Sequence, residues 1–160
     1  MLFRPKVAAV EFSGDEVRVA VIKRRGRLPR VLELAACRAQ YDTPDQRHDA
    51  MVNALDTALG QLHTRPAAYV LCADSAFSIV RTITIPFRGA RRVAAAVPFE
   101  LEPHLAFPIE DLLLDYKRVA EIEGETEVLA VGMRREHLDE QLSILRELGI
   151  EAEAVSLDAV

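Results

Sequence analysis

Between Phe77 and Tyr116 the hydrophobic period changes twice, and this stretch constrains the fold more than any other. Phe77, Ile79, Ile83 and Ile85 alternate with Ser78, Thr82 and Thr84, the period of two expected of a half-buried strand. After Gly89, the residues Val93, Val97, Leu101 and Leu105 recur every four positions, which makes one stripe of a helix. Pro98 removes an internal hydrogen bond from that helix and Pro103 ends or bends it. A second strand, running through Tyr116, follows. Phe87, Phe99, Phe107 and Ile109 flank the breaks. No catalytic signature lies in the stretch, which reads as a packing and docking element.

The residues before it predict three antiparallel strands, a helix and a buried strand. Lys6 to Phe12 is an apolar strand, Ser13-Gly14-Asp15 a turn, and Glu16 to Arg24 its partner. Gly26 and Pro29 mark the next turn, before a strand from Arg30 to Ala39. Thr43-Pro44-Asp45-Gln46 predicts a helix start, with Thr43 as N-cap, proline in the first turn and Gln46 completing a capping box. Met51, Leu55, Leu59 and Leu62 supply its buried face up to His63, and Thr64-Arg65-Pro66 stops it. Tyr69 to Ala73 is then a buried strand. The second strand of the central stretch spans 112–120, and after a turn at Glu123-Gly124-Glu125 comes a strand over 127–133. A helix from about Glu136 turns Leu138, Leu142, Leu145 and Leu148 inward, with Gly149 as its C-terminal cap. A strand from Ile150 to Leu157 closes the pattern.

Composition excludes several classes. Half of the 160 residues are hydrophobic and 28% are charged, which suits compact folding rather than disorder. A formal charge of −5 argues against nucleic-acid binding. No apolar run reaches the length of a membrane span, and the first residues lack the apolar core of an export signal. Charge is uneven: residues 1–40 carry nine Lys and Arg against four acids, whereas residues 121–160 carry three against eleven. The run Lys23-Arg24-Arg25-Gly26-Arg27 reads either as a solvated hairpin tip or as a patch facing an anionic membrane. Cys37 and Cys72 read as reduced core residues of a cytosolic protein.

The run Val80-Arg-Thr-Ile-Thr-Ile-Pro-Phe87, with Phe99-Glu-Leu-Glu, Leu105-Ala-Phe-Pro-Ile-Glu-Asp and Leu114-Asp-Tyr116, resembles the PilM family. These are actin-like cytoplasmic assembly proteins of type IV pili, related to the cytoplasmic part of GspL of type II secretion. The resemblance implies an α/β chain: the first half of an actin-like (ribonuclease-H-type) fold with an inserted small α+β subdomain. It places an actin-like subdomain at 1–86. The inserted subdomain and the start of the return to the core occupy 87–160, and a second half would follow in a longer parent. It further implies a cytoplasmic scaffold, peripheral to the inner membrane, that holds the cytoplasmic tail of a PilN-like or GspM-like bitopic membrane protein. An assembly ATPase and self-association are the other implied partners. Phe99, Leu105, Phe107 and Pro108 are the candidate lining of the partner groove; the alternative is that they join the two subdomains.

Actin-like proteins bind ATP with Mg²⁺ beside the first hairpin, where PilM-like chains carry a sequence such as Asp-Ile-Gly-Ser-Ser. The matching residues are Glu11, Phe12, Ser13, Gly14 and Asp15. A carboxylate at Asp15 repels a phosphate unless a cation intervenes. This is a degraded phosphate loop, and no cofactor is expected in this chain; ATP with Mg²⁺ is what the resemblance implies for a full-length parent. His48, His63, His104 and His137 show no metal-ligand spacing. Ser75 and Ser78 lack a nucleophile elbow. Glu100, Glu102, Glu110, Asp111 and Asp115 read as a solvated face rather than a paired-carboxylate site. The expectation is a non-enzymatic protein without a metal.

Overall fold

The computed structural model describes residues 6–25 and 28–157, without the side chains of Arg24 and Arg25. The chain runs β1 (Lys6–Ser13), β2 (Glu16–Arg25), β3 (Leu28–Arg38), α1 (Arg47–Gly60), β4 (Ala68–Ala73) and β5 (Ser78–Ile85). It continues through α2 (Ala90–Leu101), β6 (Leu112–Ile122), β7 (Glu125–Arg134), α3 (Arg135–Glu147) and β8 (Ala152–Leu157). Two compact units result: Ser75–Leu138, and the residues up to Asp74 together with those from Asp139 onward. This division differs from the predicted one at residue 87. Strand β5 pairs with β7 and therefore belongs to the second unit, whereas β8 pairs with β4 and returns to the first. Hydrogen-bond partners, not the Pro86 breakpoint, decide the membership.

The first unit is a five-stranded sheet of order β3-β2-β1-β4-β8. Strands β1, β2 and β3 are antiparallel neighbours, and β4 runs parallel to both β1 and β8. Ala8, Val10 and Phe12 of β1, and Val17, Val19 and Val21 of β2, are buried at every second position. Helix α1 packs on β2 and β3 and buries Met51, Ala54, Leu55 and Ala58. Its predicted inward residues Leu59 and Leu62 are only half-buried, and the helix ends at Gly60 rather than reaching His63.

The predicted capping box is replaced by a different start. Pro44–Gln46 is a 3-10 turn, Thr43 makes no side-chain cap, and Gln46 Oε1 accepts from the Asp42 N–H at 3.1 Å. Pro29 is a strand residue paired with Arg24, not a turn residue. An edge strand such as β3 tolerates the missing donor. Of the basic run, Gly26, Arg27 and the side chains of Arg24 and Arg25 lie outside the described residues. Cys37 and Cys72 are half-buried, a correction to their reading as core. Cys72 pairs in register with Glu11, opposite the face that buries Val10 and Leu71.

The second unit is an antiparallel sheet of order β5-β7-β6 with α2 packed on β5 and β7. Ile83, Ile85, Val93, Val97, Leu101, Val128 and Ala130 form its core, and Leu105, Leu114 and Tyr116 pack against them. The predicted stripe is thus the core stripe. Pro98 lies inside α2, and the carbonyl it leaves without a donor belongs to Ala94, on the exposed side. Thr126 is fully buried and donates its hydroxyl to the Phe87 carbonyl at 2.7 Å, which satisfies the polar group and closes the segment after β5. Glu123 (φ 51°) and Gly124 (φ 103°) form the hairpin turn between β6 and β7, both in the left-handed region as a type I′ turn requires.

Helix α3 ends in a Schellman arrangement: Gly149 N–H donates to the Arg146 carbonyl at 2.9 Å and Ile150 N–H to the Leu145 carbonyl at 3.0 Å. Ile144 is buried along with Leu145, while Leu142 and Leu148 are half-buried. Among the described residues no helix is long and apolar enough to cross a membrane.

Two outcomes follow from this packing. Leu101→Ala, at a fully buried site, lowers unfolding stability in urea by about 2–5 kcal/mol if the second-unit core packs as described. Glu33 accepts from the Thr64 hydroxyl and from the His63 N–H at 2.7 Å, which holds its carboxyl below the ordinary range. Its contribution is present above the unfolded-state value and is lost as pH falls through the lower folded one. Acid unfolding of Glu33→Gln, followed by circular dichroism, therefore lacks that part of the pH dependence.

Candidate functional site

The sequence singles out two places, one in each unit. In the first, β1 and β2 pair as far as Ser13 with Glu16, so the connecting loop is only Gly14 and Asp15. Gly14 has φ +60° and an added Cβ would meet nothing within 4 Å, so the backbone angle and not space selects glycine there. Glycine first with a left-handed φ is the pattern of a type II′ turn. Glu11 stays in the strand beside Arg18, whose guanidinium reaches Glu11 Oε1 at 3.4 Å and Glu16 Oε2 at 2.5 Å.

Residues that the sequence reading passed over hold the turn. Tyr41 donates its hydroxyl to Asp15 Oδ1 at 2.6 Å, and Ala39 N–H donates to the Asp15 carbonyl at 2.7 Å. Arg47 sends Nη2 to the Gly14 carbonyl at 2.9 Å, Nε to Asp15 Oδ1 at 3.5 Å and Nη1 to Glu140 Oε1 at 2.9 Å. One residue on, His48 Nε2 lies 2.6 Å from Glu147 Oε1. The hydrogen bond to Asp15, followed by desolvation, pushes the Tyr41 phenol above its ordinary value. The missed signal was positional. Arg47 and His48 occupy the first turn of α1, where the helix dipole disfavours cations, and Glu140 and Glu147 stand two turns apart on α3.

The second place divides. Leu105 is half-buried against the core of its unit, whereas Phe99 is 74% exposed and Phe107 and Pro108 are exposed. Phe99 lies across the helix from Val97 and Leu101 and points away from the core stripe. Phe107 carries the Arg134 guanidinium over its ring, 4.8 Å from the centroid, and Arg134 also pairs with Glu136. Phe77 lies against His137 with ring centroids 4.5 Å apart. Every phenylalanine between Ser75 and Leu138 is exposed: Phe77, Phe87, Phe99 and Phe107. Among the described residues no group of His, Cys, Asp and Glu is arranged to hold a metal.

Neither a family model nor a curated protein matches the sequence. Solved structures do match the fold. A chain of the PilM–PilN type IV pilus biogenesis complex superposes with a TM-score of 0.79 at 20% identity, over 98% of this chain and 48% of that one. The cytoplasmic domain of EpsL, an inner-membrane component of the type II secretion system of Vibrio cholerae, matches with a TM-score of 0.63 at 17% identity. That match covers 94% of this chain and 56% of that domain. The chain spans about half the length of the structures it matches. These likenesses fall on the family that the sequence resembles. With the sheet order β3-β2-β1-β4-β8 and the unit inserted between β4 and β8, they show a partial actin-like fold.

Proposed function

We propose that this chain is a cytoplasmic, non-enzymatic scaffold in the inner-membrane assembly platform of a type IV pilus or a related secretion system. In this reading it lies at the inner membrane as a peripheral protein and holds the cytoplasmic tail of a bitopic membrane partner. The observation that carries the proposal is the exposure of Phe77, Phe87, Phe99 and Phe107 on the inserted unit. Aromatic side chains supply much of the energy of protein interfaces, and exposed aromatics on one unit are the kind of side chain a docking surface uses. The sequence resemblance and the match to a chain of the PilM–PilN complex give that surface its partner class, a PilN-like tail.

The match to EpsL supports a second reading, a GspL-type subunit with a GspM-like partner. Both readings need only the scaffold and no nucleotide in this chain; an assembly ATPase and self-association remain partners for a longer parent. The third reading, an actin-like ATPase, conflicts with Asp15 at the turn.

The test is fluorescence anisotropy of a labelled peptide from the cytoplasmic tail of a PilN-like bitopic membrane protein. Saturable binding is expected for the wild type, with at least a tenfold loss in Phe107→Asp once circular dichroism shows that the variant folds. Binding unchanged in Phe107→Asp, Phe99→Asp and Phe77→Asp would remove the aromatic surface from the proposal. No binding at about millimolar peptide, near −4 kcal/mol, would remove the proposal itself.

A further inference from the structure

An actin-like fold implies ATP with Mg²⁺ beside the β1–β2 turn, and the residues present do not fit it. A phosphate cradle needs successive backbone amides directed at the ligand. The loop here is two residues long, and the group it turns toward Arg47 is the Gly14 carbonyl. Arg47 is the cation at this turn, and it is already engaged by Asp15, Gly14 and Glu140. A triphosphate would meet the carboxylates of Asp15 and Glu140 and would have to break the Tyr41 hydrogen bond to displace Asp15.

We infer that Arg47, Asp15, Tyr41 and Glu140 form an internal latch that holds the β1–β2 turn in its folded shape without nucleotide. The latch joins three stretches of the sequence: the turn at Gly14 and Asp15, the segment from Tyr41 into the first turn of α1, and the middle of α3. A guanidinium suits this role because its planar fork donates in several directions at once, to a carbonyl and to two carboxylates. Arg47 is about one-third exposed and its carboxylate partners nearly half, so each pair is partly screened and the latch acts as a shared network rather than through any one pair. The inference is independent of the scaffold reading: the latch can hold whether or not a tail docks on the other unit.

Thermal unfolding of the whole chain tests it, by circular dichroism, with and without about 5 mM Mg-ATP. A site of about 50 μM affinity would be saturated a hundredfold and would raise the midpoint by several degrees. The expected wild-type shift is below about 2 °C. Without nucleotide, Arg47→Met lowers the midpoint by about 3–6 °C and Arg47→Lys recovers only part of the loss.

Should Arg47→Met fail to fold, phenolate absorbance gives a second reading. The difference between wild type and Tyr41→Phe places Tyr41 above the ordinary phenol range, and Asp15→Asn brings it back down. The raised value also fixes the sign of the pH dependence. The Tyr41 contribution is complete below its unfolded-state value and is lost as pH rises through the folded one. A wild-type rise above about 2 °C with Mg-ATP overturns the inference. So does an Arg47→Met variant with an unchanged midpoint, or Tyr41 titration that Asp15→Asn does not move.

Discussion

Strand β4 is bonded in parallel on both sides, to β1 and to β8, and the rest of the chain is arranged around that requirement. Parallel neighbours cannot be joined by a tight turn, so each pairing demands a crossover. The first crossover contains α1, reached after the β2–β3 hairpin has been added on the far side of β1. The second is far longer. It contains the whole unit Ser75–Leu138 before α3 brings the chain back to β8. The inserted unit is therefore a connection that acquired its own sheet and core. Its presence costs the first sheet little, because loop-closure entropy grows only slowly with loop length.

Each unit packs a helix on its sheet, and packing of that kind decides which side chains remain for other work. In the inserted unit the buried stripe Val93, Val97 and Leu101 fixes the rotation of α2, and Phe99 is left outward as a consequence. In the first unit the same alternation that buries Val10 and Phe12 leaves Glu11 on the opposite face, where Arg18 carries the charge of both Glu11 and Glu16. A strand that alternates so strictly cannot send Glu11 into the turn without exposing its apolar neighbours.

The charges at the start of α1 show how tertiary structure offsets a local cost. Arg47 and His48 are poorly placed for the helix dipole, with Asp49 the acidic residue of the first turn. Glu140 and Glu147 of α3, and Asp15 of the first turn, surround that helix end with carboxylates. Such half-exposed pairs are individually weak, but a guanidinium shared by three acceptors behaves as a network. Its geometry leaves the β1–β2 turn facing its own protein rather than a ligand.

Sequence alone was enough for the order of the main elements and for part of their buried faces. Period two identified β5, an apolar run and the turn after it identified β1 and β2, period four identified α2, and Gly149 identified the end of α3, because these signals are local and follow from backbone geometry. The resemblance carried the fold class, and the comparison of Ser13-Gly14-Asp15 with a phosphate loop already marked the turn as altered. Three things were decided only in three dimensions. β5 belongs to the inserted sheet because its hydrogen-bond partner is β7, a choice that no local period encodes. Leu105 turns to the core while Phe107 lies under Arg134, because their surroundings come from elements brought in from elsewhere in the chain. Asp15, Tyr41, Arg47 and Glu140 meet although more than 120 positions separate the first from the last. The Arg47–Glu140 ion pair exists only once α3 has been placed beside the start of α1, whereas the contacts of Asp15 with Tyr41 and Arg47 need only the β1–β2 turn and the segment that leads into α1.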